Sequence, residues 1–254
     1  WVNGQPSSTI NSSAILGGIG SGNSLAAGQA MRVDFVVDLT GDPGSTGSGN
    51  YNVSSKRDHL FDSHYSVNGA SCLLTQSSGS TVRFSAFDDH DTNGNVVGTI
   101  LGVANDVTKD AINGIAISYN NGGGAFVSGL ISTSGTYIVG GVSYGVTFVT
   151  TGPDSGTVLV SGIQGPSGNS GGLGTTVALF TADGYNSFEV LSVSGSTFKV
   201  GDFKAAVPST DPVHLAIPVA VVDGDGDISA SSNLNITVNP TPIVPVSYTH
   251  LRAH

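Results

Sequence analysis

Asp223-Gly224-Asp225-Gly226-Asp227 sets three carboxylates at alternate positions directly after the apolar stretch that ends Val221-Val222. In an extended chain such residues project to one side, roughly 7 Å apart. At an effective dielectric near 20, two carboxylates at that distance repel by about 2 kcal/mol before salt screening. A cluster of hard oxygens of this kind suits Ca2+. The alternative is an exposed Asp-Gly turn between two strands. The run is not an EF-hand, because Ile228 rather than Gly follows Asp227 and no helical pattern flanks it.

A second group lies in Asp88-Asp89-His90-Asp91-Thr92-Asn93-Gly94-Asn95. Asp89, Asp91, Asn93 and Gly94 match the first half of a D-x-D-x-[DN]-G calcium loop, with Asp88 adjoining it. Ile100 occupies the twelfth position, where the bidentate Glu of such a loop would stand. A polar hairpin loop joining Thr81–Phe87 to Asn95–Leu101 accounts for the same residues equally well. Between Arg57 and Tyr65, Asp58, His59, Asp62 and His64 gather within seven positions. Their spacing fits no metal motif, and a hydrogen-bonded loop packed by Phe61 and Tyr65 is the simpler expectation. Gly168-Asn169-Ser170-Gly171-Gly172 is one residue from a serine-protease G-D-S-G-G, yet no histidine base is nominated elsewhere. The chain is expected not to be an enzyme.

The elements that carry these groups read as strands. Val33, Phe35, Val37 and Leu39 fall on one face of an alternating run, as do Val82, Phe84 and Ala86, then Tyr144, Val146 and Phe148, then Leu234, Ile236 and Val238. Period two with one apolar face is the mark of half-buried strands. Further strands are expected over Gly114–Tyr119, Gly156–Gly162, Thr176–Thr181, Ser187–Val193, Thr197–Phe203 and His214–Val222, with Pro218 at an edge or a bulge. Turn clusters such as Asn120-Asn121-Gly122-Gly123-Gly124 separate them. One helical turn is expected over Asp106–Ile112, with Asp106 as N-cap and Gly114 closing it. Gly17–Asn23 reads as a loop. The fold class is all-β, an antiparallel β-sandwich of jelly-roll or Ig/cadherin-like type, with two stacked sandwiches as a variant.

Composition agrees. Of 254 residues only 10% are charged, 18 acidic against 8 basic, for a net charge of −10. Helix-rich folds lean on Glu, Lys, Leu and Met, whereas Glu189 is the sole Glu here and Met31 the sole Met. A negative surface repels phosphate backbones, so no nucleic acid is expected as a partner. No run approaches the ~18 apolar residues of a membrane span. Cys72 stands alone, which excludes an internal disulfide. Residues 1–13 read as a polar tether, 14–240 as the folded unit with a sub-boundary near 208–212, and 241–254 as a Pro-rich linker and tail. Trp1 rather than Met opens the chain, which is expected of a segment of something longer. Ser247–His254 resembles the translated read-through of a sequencing adapter and is set aside as a non-native tail.

From about Ala26 to Pro240 the chain resembles a repeat unit of giant repeats-in-toxin (RTX) type bacterial surface proteins, exported by type I secretion. The residues concerned are Met31–Phe35, Phe61–Tyr65, Phe84–Asp89, Phe180–Ser187 and Val221–Asp227. The last, with Ser229–Val238 after it, is similar to the closing hairpin of cadherin-like adhesin repeats. The resemblance implies tandem β-sandwiches at the cell surface, joints stiffened by Ca2+, and neighbouring repeats as partners. By matching that hairpin, Asp223, Asp225 and Asp227 take the calcium role. No nonapeptide array accompanies them. A carbohydrate-binding jelly roll, with cell-surface glycans as partners, is the alternative function.

Overall fold

The computed structural model describes residues 10–12, 16–19, 24–38, 61–89, 107–167, 172–206, 213–220, 224, 229, 232–238 and 249–253. The chain divides into two units, Trp1–Ala206 with Val246–His254, and Val207–Pro245.

Every regular element among the described residues is a strand. In chain order they are β1 Ile10–Ser12, β2 Leu16–Ile19, β3 Ala30–Val37, β4 Ser63–His64, β5 Gly69–Thr75, β6 Ser78–Asp89, β7 Val107–Asp110, β8 Gly114–Asn120 and β9 Ala125–Val127. There follow β10 Gly135–Val139, β11 Val142–Phe148, β12 Val158–Gln164, β13 Gly174–Phe180, β14 Ser187–Ser194, β15 Lys199–Ala206, β16 Val213–Val219, β17 Ser232–Val238 and β18 Thr249–Ala253. In the first unit one sheet runs β1-β2-β15-β5-β13-β8-β9 and the other β10-β11-β12-β6-β14-β3-β18, with β4 beside β3 and β7 beside β6. All the pairings are antiparallel.

Alternation decides which side chains meet between the sheets. Leu74, Ile117, Val177 and Leu179 from the first sheet pack with Val33, Phe35, Val82, Phe84, Val160 and Phe188 from the second in one core. Two antiparallel sheets closed over a shared apolar interior make a β-sandwich. Phe35 lies at its aromatic centre, 5.8 Å from the Tyr65 ring, 6.3 Å from Tyr185 and 6.0 Å from Phe188. The buried Tyr185 hydroxyl donates to the Leu179 carbonyl at 3.0 Å, so this large ring carries no orphaned polar group. Tyr185→Phe is expected to cost about 1 kcal/mol in denaturant unfolding. An unchanged midpoint would contradict a net role for that bond. Cys72 is fully enclosed, and burial pushes its thiol far above the ordinary range, so it packs as a small hydrophobe.

Several local expectations change. Val107–Asp110 is not a helical turn but strand β7, paired with the end of β6 from Ala86↔Asp110 to Asp89↔Val107. A single capped turn has few internal hydrogen bonds to offer; the open edge of β6 beyond its pairing with β12 offers a full ladder, and β-branched Val107 and Thr108 suit it. Gly17, Gly18 and Ile19 belong to β2 rather than a loop, and pair with β1. In β15 the register shifts between Gly201 and Lys204, where Asp202 has φ 46°, the left-handed backbone of a bulge. β18 pairs with β3 from Thr249↔Val37 to Ala253↔Val33, so the tail residues lie along a sheet edge.

The second unit's described residues form one hairpin, β16 with β17, in continuous register from Val213↔Val238 to Val219↔Ser232. Among the described residues Pro218 sits in a strand with a single neighbour, where its missing N–H breaks no second ladder. Leu234 and Ile236 alternate as expected, but their face is not dry: they are 51% and 38% exposed, with Ile217 at 42%. No helix among the described residues is long and apolar enough to cross a membrane.

Candidate functional site: a buried charge cluster on the nine-stranded sheet

Since Val33 and Phe35 of β3, Phe84 and Ala86 of β6, and Phe188 and Val190 of β14 point into the core, the residues between them occupy the opposite face. Arg32, Asp34, Ser85, Asp89 and Glu189 therefore share that face. Register brings them together, with Glu189 opposite Arg32 on one side and opposite Ser85 on the other. All five are buried, Arg32 to 2% and Glu189 to 1% exposure, so this polar face is as dry as the apolar one.

Arg32 organises the cluster. Its Nε donates to Asp34 Oδ1 at 2.9 Å, its Nη2 donates to Asp89 Oδ2, and its Cζ lies 5.4 Å above the Phe87 ring. Burial opposes the guanidinium charge, but Asp34, Asp89 and Glu189 together outweigh it and hold the group above its ordinary pKa. Asn186 fixes the end of β6: its Oδ1 accepts the Asp89 backbone N–H at 2.7 Å, and its Nδ2 donates to the Asp89 carbonyl at 2.9 Å. Burial raises the Glu189 carboxyl to about 7, with Arg32 and Arg83 pulling the other way. Its Oε1 has no hydrogen-bond partner among the described residues.

His64, from β4, stands at the margin. Its Nε2 is 3.9 Å from Asp89 Oδ1, beyond hydrogen-bond reach, and its ring meets Phe61 edge-on with centroids 4.9 Å apart. Burial lowers its pKa against the raising pull of Asp89 and Asp34, so the neutral imidazole is favoured. Ser63 and His64 thus belong to β4 rather than to a loop, with Phe61 packed on His64 and Tyr65 on Phe35. Asp58 and His59 lie outside the described residues.

Of the calcium candidates, Asp88 and Asp89 close β6, while Asp91, Asn93, Asp223, Asp225 and Asp227 lie outside the described residues. As consecutive strand residues, Asp88 and Asp89 face opposite sides of the sheet; Asp88 is half-buried and Asp89 is bonded to Arg32. A cation at Asp89 would compete with that guanidinium. Gly224 is exposed in a turn, with no atom within 4 Å of where a Cβ would stand. No group of three His, Cys, Asp or Glu suited to a metal occurs among the described residues. Ser170, of the protease-like run, is also outside them.

Comparison with protein-family models, curated proteins and solved structures gives no match.

Chemically, the cluster neutralises and stores charge. One guanidinium holds two carboxylates, and burial favours the protonated form of a third carboxyl, Glu189. Neither Arg32 nor Glu189 was singled out by motif. The available signal was compositional: the only Glu of the chain stands inside a strand, and an Arg is flanked by Met31 and Val33.

Proposed function

We propose that the chain is an extracellular structural repeat of a large secreted bacterial adhesin, a β-sandwich spacer at the cell surface stiffened by Ca2+ at Asp-rich connections between strands. The observation that carries this reading is the second unit. A two-stranded hairpin is marginal in water by itself, and this one exposes Ile217, Leu234 and Ile236. Such a stripe suits burial against an adjoining module, and neighbouring repeats of the same chain are the partners proposed. In sequence the acidic run of Asp223, Asp225 and Asp227 lies between Val219, which ends β16, and Ser232, which begins β17. Neutralising it would remove repulsion within the loop and favour the closed hairpin.

With Kd of ~10⁻⁴–10⁻³ M and millimolar extracellular Ca2+, one such site adds about 0.4–1.4 kcal/mol. Thermal unfolding of the chain with 1 mM Ca2+, on the order of extracellular levels, is therefore expected to give a higher midpoint than unfolding with chelator. Equal midpoints would remove the metal from the proposal.

A further inference from the structure

We propose that a cleft at one end of the sandwich, opening between the two sheets, is a binding site for a neutral carbohydrate. It goes beyond the spacer role and does not depend on calcium. The cleft holds 320 Å³ and is lined by Ser77 of the β5–β6 turn with Ser78 at the start of β6, by Tyr119 at the end of β8 with Asn121 just after it, and by Gln164 at the end of β12 with Gly165 and Pro166 after it. Its size is at the lower end of small-molecule sites.

The lining selects the ligand class. Among the described residues no charged side chain lines the cleft, and a chain of net charge −10 repels anions. A purely apolar guest would leave the amides and hydroxyls without partners. A sugar offers both parts, hydroxyls for the amides and a C–H face for an aromatic ring. The Gln164 side chain makes no hydrogen bond among the described residues and is exposed. Asn121 uses Oδ1 to accept the Gly123 N–H at 3.0 Å, which leaves its Nδ2 donors for a guest. Tyr119 is half-buried at the core margin and pairs in register with Phe126, which is 51% exposed. A Cβ on Gly140 would lie 2.9 Å from a Phe126 ring carbon and 3.1 Å from a Tyr119 ring carbon, so both rings flank Gly140.

The walls are also held in advance of binding. Ser77 and Gly165 exchange backbone hydrogen bonds at 3.2 and 3.0 Å, and the Ser77 hydroxyl donates to the Ile163 carbonyl at 2.8 Å. The Thr175 hydroxyl accepts the Gln164 N–H at 3.1 Å and donates to its carbonyl at 2.7 Å. Gln76, in the β5–β6 turn, adopts φ 57°, a left-handed backbone uncommon for a non-Gly residue and often kept at binding sites. Such preorganisation limits the entropy lost on binding.

The test is a glycan array of neutral hexose and N-acetylhexosamine oligosaccharides with sialylated, sulfated and uronate glycans as comparators, followed by calorimetry on any retained glycan. At least one neutral glycan is expected to bind with Kd below about 1 mM. Gln164→Ala, an exposed change that leaves the melting temperature unaltered, is expected to weaken it about tenfold. Tyr119→Leu, which keeps apolar bulk but removes the ring, is expected to weaken it at least as much. The proposal is overturned if no neutral glycan is retained, if anionic glycans are preferred, or if both variants bind like the wild type.

Discussion

Arg32→Met is expected to destabilise the sandwich by about 3–5 kcal/mol, the range measured when one partner of a buried ion pair is removed. The size follows from what is left behind. Asp34 and Asp89 are 8% and 4% exposed, and both lose the guanidinium that neutralises them. Methionine retains much of the packing over Phe87, so the loss is electrostatic rather than a cavity effect. A variant that also carries Asp34→Asn and Asp89→Asn is expected to regain most of the stability, since removing a whole buried ion cluster is often close to neutral. Urea unfolding of the single and triple variants measures both. A single variant within about 1 kcal/mol of the wild type would mean the cluster is solvated rather than buried.

Glu189→Gln is expected to stabilise the protein at pH 8 relative to its effect at pH 4, by about 3 kcal/mol. The folded carboxyl sits at about 7 because burial disfavours its charge, against an ordinary value of 4.5. The folded state therefore keeps a proton that the unfolded chain releases, and stability falls as pH rises through the window from 4.5 to about 7. At 1.36 kcal/mol per unit the full difference is about 3 kcal/mol. Gln cannot ionise, so the variant loses this slope. His64 acts in the opposite sense. Its folded pKa lies below the ordinary 6.5, so its contribution is lost as pH falls from there. The difference between wild type and variant cancels the histidine and isolates the glutamate. Parallel stability curves for the two proteins across pH 4–8, the span set by these groups, would refute a buried, proton-holding Glu189.

Both effects come from a face that alternation alone misreads. In Arg32-Val33-Asp34-Phe35 the polar positions have the spacing of a solvated strand face, and the apolar ones reach the core as expected. That Arg32 and Asp34 meet Glu189, Ser85 and Asp89 depends on β14 (187–194) pairing with β3 on one side and with β6 (78–89) on the other, non-local pairings with no local signature. The strands of the core were legible because each carries its own period, as in Val82, Phe84 and Ala86. The segment Val107–Asp110 was not, because its conformation is set by a free edge on β6 rather than by its own capping pattern. Leu234 and Ile236 show a third case. Their period announced a strand correctly, but the cover for their apolar face is not supplied among the described residues. The cleft gave no sequence signal, since Tyr119, Asn121 and Gln164 converge only when the sandwich closes.

Calorimetric titration of Ca2+ into the chain tests most directly the proposal that Asp223, Asp225 and Asp227 hold calcium. The wild type is expected to bind with Kd of ~10⁻⁴–10⁻³ M, and a variant with all three aspartates changed to Asn is expected to lose that site. Absence of binding heat in the wild type, or the same isotherm from the triple variant, would contradict it.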